Sequence, residues 1–175
     1  MIRPSTKSSE NLVLTWKFYH NSIVHLEITK FSNISGKVKY QIGKENYENL
    51  DDLMRRCILK SNSLLNSVIS HPKFRAETEK EIIALLKEEK AKDPTAIPYA
   101  FGCFEYTPQY VVLFYLFARD VDKEYVKIRP DGLFFHNVYF SSAKMLVVWF
   151  KENLKTVEYQ TYFKTVKPPF CGKNI

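Results

Sequence analysis

Residues 2–17, IRPSTKSSENLVLTWK, set an arginine between an apolar start and a run of hydroxyl-bearing side chains, after which apolar residues resume. Ile2 precedes Arg3, then come Pro4, Ser5, Thr6, Lys7, Ser8 and Ser9, and Leu12 to Trp16 return to an apolar strand pattern. The stretch reads as strand, donor-rich loop, strand. A loop of this kind brings backbone N–H groups, hydroxyls and a guanidinium to one spot, the donor set that a cluster of anionic oxygens needs. A solvated hairpin with an ordinary surface arginine has the same composition. The stretch alone does not separate the two.

The bulk properties narrow the field. At 175 residues the chain is long enough for one large or two small cores. A net charge of +7 points to an anionic partner, although dispersed lysines give the same sum for solubility alone. Cys57, Cys103 and Cys171 are odd in number and far apart, with neither metal-site spacing nor a disulfide framework, which predicts a reducing compartment. The run YVVLFYLF ends at Ala118 and Arg119, short of a membrane span, and no secretory leader is expected, so the chain is read as soluble and intracellular. Glycine occurs five times and never in a cluster, which excludes the glycine-rich loops that cradle nucleotide phosphates.

Local patterns then predict the elements. Leu12 to Lys17 and Ile23 to Thr29 read as antiparallel strands around an FYHNS turn, and in the second strand His25, Glu27 and Thr29 share the face opposite Val24, Leu26 and Ile28. A strand KVKYQI follows Gly36. Asn49 with Asp52 starts a helix over LDDLMRRCIL, and SNSLLNSVISH forms a second that stops before Pro72. Thr78 and Glu81 make a capping box for a third helix, which carries an apolar stripe of Ile82, Ile83, Leu85 and Leu86 and ends at Asp93–Pro94. Beyond Pro98 come the strands YAFGCFEY, YVVLFYLFA and EYVKI, the turn RPDG, the strand LFFHNVYF and a closing helix in SSAKMLVVWFKENL.

Strands followed by a helix occur twice in this order, and the two halves can be overlaid. Leu12–Trp16 slides onto Val111–Tyr115 with Ile28 on Ile128, and Tyr47 slides onto Phe140 with Leu50, Leu53 and Cys57 on Ala143, Leu146 and Phe150. The fold class is therefore α+β, two copies of a module in which an antiparallel sheet is flanked by helices. The overlay puts Arg3 on Gly102 and Ser5 on Phe104, so the copies agree in scaffold and differ at the polar spot.

IRPS followed by LVLTWK, with His25 on the next strand, resembles the Src-homology-2 fold, whose signature is Phe-Leu-Val-Arg-x-Ser on one strand with a histidine on a later strand near the same pocket. More narrowly, IRPSTKSSENLVLTWK, IPYAF and EYVKIRPDGLFF with VWFKENL are similar to the tandem Src-homology-2 region of the suppressor-of-Ty-six family of transcription elongation factors and histone chaperones. The resemblance covers essentially the whole chain. It implies an N-terminal module over residues 1–70 and a linker helix with a C-terminal module over 71–175, packed as one rigid unit. It implies non-catalytic binding of phosphoserine, phosphothreonine or phosphotyrosine in the linker of the RNA polymerase II largest subunit, in the nucleus. A monomer is expected, with no cofactor, no metal, no membrane contact, and nucleic acid met through other parts of the protein. Carried over by position, the phosphate ligands are Arg3, Ser5, Thr6, Lys7, Ser8 and His25. The family pattern has a helix and the start of a strand ahead of the arginine, whereas Met1 stands two residues before Arg3, so the first module is expected to lack the start of the fold.

The chemistry of these residues agrees with that implication. A guanidinium meets two phosphate oxygens in one plane, which lysine does not do, and hydroxyls with loop N–H groups take the third. His25 reads equally as a hydrogen-bond partner within the sheet. In the second module, YAFGCFEY offers phosphate nothing, and the family's unusual second pocket directs attention to surface cations: Lys73 and Arg75 after the SHP stop, with Lys151 in WFKENL. Three unrelated solvated cations would look the same in sequence. Two rival classes stand beside this reading. One is a basic nucleic-acid-binding module, against which most aromatics sit in core-like patterns. The other is an enzyme using Cys103 with His136 or Ser5 with His20, for which no local motif exists, so no catalytic residue is assigned.

Overall fold

A computed structural model describes residues 1–6, 8, 11–32 and 36–156. Two sheets carry the fold. The first has five antiparallel strands in sequence order: β1 (Ile2–Pro4), β2 (Asn11–Tyr19), β3 (Ser22–Ser32), β4 (Val38–Ile42) and β5 (Glu45–Tyr47). A long helix follows, made of α1 (Leu50–Leu53), a π-helical segment (Met54–Leu59) and α2 (Lys60–Ile69). After β6 (Phe74–Arg75) and α3 (Glu79–Lys92), the second sheet continues with β7 (Tyr99–Gly102), β8 (Tyr110–Tyr115), β9 (Asp122–Arg129), β10 (Gly132–Phe135) and β11 (Val138–Phe140). Only the β6–β7 pair is parallel among the described strands, and α4 (Ala143–Asn153) closes the order.

Capping chemistry sets the helix starts. Asn49 accepts from the Asp52 amide, Ser142 from the Met145 amide, and Thr78 and Glu81 form the reciprocal capping box that their spacing predicts. The two helices expected over 50–71 are one continuous helix. Its wider π turn lets Leu53 and Ile58 both face inward, where each is buried. The single strand expected over LFFHNVYF is instead a hairpin. His136 and Asn137 have φ of 48° and 62°, the left-handed pair that a tight two-residue turn needs and that asparagine tolerates.

The pairing registers test the overlay. Ile2 lies opposite Leu14 and Arg3 opposite Val13; in the second sheet Phe101 lies opposite Leu113 and Gly102 opposite Val112. Tyr40 pairs with Tyr47 as Leu133 pairs with Phe140, and Asn49 and Ser142 cap the helices that follow. One anchor needs correction. Ile28 lies opposite Leu12 and its counterpart opposite Val111 is Val126, not Ile128, because the β8–β9 hairpin is shorter than β2–β3, which carries a bulge between Lys17 and Tyr19. Strand alternation keeps either choice on the core face.

One apolar core runs through both sheets, joining Leu14, Trp16 and Ile28 to Leu65, Val68, Leu113, Ile128 and Phe150. α2 packs against β6, β9, β10 and α4, and the Trp16 indole donates to Asn62 Oδ1 at 2.8 Å, fastening β2 to the same helix. The two sheets differ in their other cover. α3 lies on the far face of β7 and β8, where Ile82 and Leu86 pack on Ala100, Val112 and Phe114. β8 is thus covered on both sides and reads as an unbroken apolar run, whereas β2 alternates because among the described residues its outer face meets solvent.

Candidate functional site

The outer face of the first sheet gathers the predicted ligands. Arg3, Val13 and Glu27 form one cross-strand row, and Met1, Thr15 and His25 the next, since Met1 and Thr15 exchange main-chain hydrogen bonds of 3.0 and 2.7 Å. Residues opposite each other in an antiparallel sheet share a face, so Arg3 and His25 stand on one surface, two strands apart and one row displaced. Both are exposed. Among the described residues the Arg3 guanidinium meets no carboxylate; its one contact is a long 3.4 Å donation from Nη1 to the Pro4 carbonyl.

The loop after β1 is closed by its own backbone. The Ser5 amide donates to the Asn11 carbonyl at 2.9 Å and the Asn11 amide to the Ser8 carbonyl at 3.3 Å, which brings the loop hydroxyls to the end of the strand that carries Arg3. Ser5 and Ser8 are half-buried and Thr6 is exposed, while Lys7 lies outside the described residues.

Thr15 escaped the sequence reading, as did the place of Glu27 in the row of Arg3, since Glu27 was read only as sharing the face of His25. The Thr15 hydroxyl lies 3.1 Å from His25 Nδ1. A hydroxyl that donates to Nδ1 leaves the proton of the neutral ring on Nε2, as a donor toward the open face. Glu27 is held by a 3.2 Å donation from the Asn11 side chain to Oε1. Its carboxylate limits how much negative charge the row with Arg3 accepts. The signal for both was the β2–β3 register, which strand alternation alone does not supply.

The equivalent place in the second sheet is filled. A Cβ on Gly102 would meet the Phe104 ring at 3.0 Å and Ile82 Cδ1 at 3.2 Å, so apolar groups occupy the counterpart of the Arg3 position. Opposite Phe114, where the first sheet has His25 opposite Thr15, stands Lys123. Lys123 Nζ donates to Glu79 Oε1 at 2.7 Å and the Tyr106 hydroxyl to Glu79 Oε2 at 2.6 Å. Burial works against the Glu79 charge, yet these two donors outweigh it and hold the carboxyl below the usual range.

The three surface cations expected at the second module divide. Lys73 and Lys151 converge on one ring, with their Nζ atoms 5.9 and 5.4 Å from the Tyr99 centroid. Lys73 is also paired with Glu89 at 2.8 Å, and burial followed by the charge of Lys151 depresses the His71 pKa beside them. Arg75 turns instead to the carbonyls of Pro72 and Phe74, at 3.0 and 2.9 Å.

Comparison with known proteins adds the family. A model of the SH2 domain matches residues 1–153. Transcription elongation factor SPT6 of Drosophila melanogaster is 32% identical over 162 residues, which is 87% of this chain and 9% of that protein. The SPT6 homolog of Arabidopsis thaliana is 28% identical over 88% of this chain and 10% of that protein, so the chain spans only a small part of such relatives. Two solved structures share the fold. A tandem SH2 domain of Spt6, described as binding the phosphorylated RNA polymerase II C-terminal repeat domain, superposes with a TM-score of 0.80 at 23% identity, covering 90% of this chain and 83% of that one. The tandem SH2 domains of Antonospora locustae Spt6 superpose with a TM-score of 0.73 at 21% identity, covering 86% and 79%. With an arginine-bearing strand, a hydroxyl loop, a repeated sheet-and-helix module and the SH2 model matched over residues 1–153, this chain belongs to the SH2 domain family.

Proposed function

We propose that the chain is a non-catalytic phosphopeptide-recognition unit that couples an elongation factor and histone chaperone to transcribing RNA polymerase II in the nucleus, by binding the phosphorylated linker of the largest subunit. The observation that carries this reading is the Arg3 guanidinium, exposed on a polar face with His25 and next to a closed hydroxyl loop. A phosphate brings about −1.5 to −2 charges and three acceptor oxygens, which suits a bidentate guanidinium backed by Ser5, Thr6, Lys7, Ser8 and loop amides. The likeness to Spt6 proteins, one of them described as binding the phosphorylated polymerase C-terminal repeat domain, supports the partner.

We assign a second phosphate contact to Lys73 and Lys151 over Tyr99, where a ligand competes with Glu89 for Lys73, and give Arg75 at most a peripheral part. The modules are taken as residues 1–70 and 71–175 of a monomer. Binding rather than catalysis fits the thiols and histidines. Burial pushes the Cys103 pKa up to about 12, and Cys103 follows β7 while His136 sits between β10 and β11, at least three strands away and paired with Glu124. Ser5 and His20 lie at opposite ends of the β2 strand. Among the described residues no helix is long and apolar enough to cross a membrane.

The test is a calorimetric titration with linker and repeat-domain peptides, each phosphorylated or phosphatase-treated. Binding should vanish on dephosphorylation, favour the linker, and weaken at high salt and as pH falls from about 7 to 5, when the phosphate loses part of its charge. Equal affinity for treated and untreated peptides would refute phosphate recognition; preference for the repeat domain would move the partner sequence and leave the recognition intact.

A further inference from the structure

We propose that the outer face of β9–β11, with Tyr110 at the start of β8 where the strand is not fully buried, is a stacking platform for single-stranded nucleic acid, separate from both phosphopeptide contacts. Tyr110 lies opposite Lys127, Lys127 opposite Phe134, and Phe134 opposite Tyr139, so one cross-strand row runs aromatic, cation, aromatic, aromatic over four strands. With strands about 4.8 Å apart the row is about 14 Å long. Successive bases stack along aromatic rows of this kind, because every base has a π-face.

The row is held as a surface. The Phe134 and Tyr139 rings are 4.8 Å apart, Arg129 lies over both at 5.8 and 5.5 Å, and Lys127 Nζ stands 5.6 Å from the Tyr110 ring. Tyr139 remains 44% exposed. Alternation along β9 sorts its charges. Lys123, Lys127 and Arg129 share this face, whereas Asp122 and Glu124 point to the other, where Glu124 is bonded to Tyr115 and His136. Lys123 is already paired with Glu79, which leaves Lys127 and Arg129 as the cations beside the rings. Rings with adjacent cations, the β9 acids turned away and Glu79 neutralised by Lys123, match a backbone of phosphates carrying flat bases. A duplex hides its bases in its own stack, so the rings favour a single strand.

Fluorescence anisotropy tests this with labelled single-stranded RNA and DNA of roughly 12 nucleotides, the corresponding duplex, and the intact chain. Both single strands, or one of them, should bind more tightly than the duplex, and which one binds better identifies the sugar. Tyr139→Ala should weaken single-strand binding roughly tenfold, Tyr139→Phe should restore it, and Arg129→Gln should weaken it and flatten its salt dependence. Arg3→Ala should leave it unchanged, and Tyr139→Ala should keep full phosphopeptide affinity, which also confirms its fold. The platform is overturned if no strand binds, if the duplex binds as tightly, if Tyr139→Ala binds nucleic acid like the parent, or if Arg3→Ala weakens binding equally. It is also overturned if Tyr139→Ala loses phosphopeptide affinity, because the row would then belong to the peptide.

Discussion

Replacing Arg3 with alanine separates a binding role from a structural one. The side chain is exposed on β1 and its only contact among the described residues is the 3.4 Å donation to Pro4, so removing it should change folding stability by about 0.5 kcal/mol or less. Binding should respond differently. Two unit charges 4 Å apart at an effective permittivity of about 20 interact by about 4 kcal/mol. A phosphate carries more than one charge, while desolvation and the ordering of the side chain subtract from the gain, and truncating one partner of such a pair costs about 2–5 kcal/mol. Affinity for a singly phosphorylated peptide should fall by roughly 30-fold to several thousand-fold. Arg3→Lys keeps the charge without the planar fork and should fall between parent and alanine. Calorimetry at neutral pH and moderate salt, with thermal unfolding of the same samples, reads both quantities. If the alanine variant binds like the parent, the site is elsewhere; if its melting temperature drops by several degrees, Arg3 is a structural residue.

Lys73→Glu and Lys151→Glu should each weaken a doubly phosphorylated peptide severalfold and barely affect one carrying only the phosphate for Arg3, because exposed lysine contacts are worth about 1 kcal/mol or less and act through avidity; titration of both peptides checks this. Gly102→Ala should destabilise the fold by about 1–3 kcal/mol in denaturant unfolding, since its methyl meets Phe104 and Ile82 at 3.0 and 3.2 Å, and it should leave peptide affinity unchanged.

Much of the fold was legible because local chemistry and tertiary cover agree. The capping box at Thr78 and Glu81 and the RPDG turn before Gly132 formed as read, since each acts within a few residues. The strand overlay held at β1, β2 and the helix starts, where apolar positions repeat in order. What escaped lies in features without a local signal. The π segment over Met54–Leu59 carries no proline or glycine, and the two-residue β6 exists only because β7 lies beside it. The turn at His136 and Asn137 was read through because neither residue is glycine. At the site, alternation along β3 placed His25 and Glu27 on one face, but bringing Arg3 and Thr15 to that face needed the β1–β2 and β2–β3 registers.

The two sheets show how one scaffold can leave a polar face open or absorb it into its core. In the first, the row of Arg3 faces outward and the cation has no internal anion among the described residues. In the second, glycine replaces the arginine, the Phe104 ring and Ile82 fill the space, and the cation at the counterpart of His25, Lys123, finds its anion in Glu79 at the first turn of α3. Tyr106 completes that carboxylate, so the charge is neutralised by the chain itself. A phosphate entering there would have to displace Glu79 and find the guanidinium position occupied by apolar atoms, two costs with no compensating donor. The packing of α3 that closes this place also covers β8 on its second side and contributes apolar burial in every ligand state. The second sheet therefore supports the fold whether or not a phosphate is present, and the counterpart of the Arg3 position is closed to one.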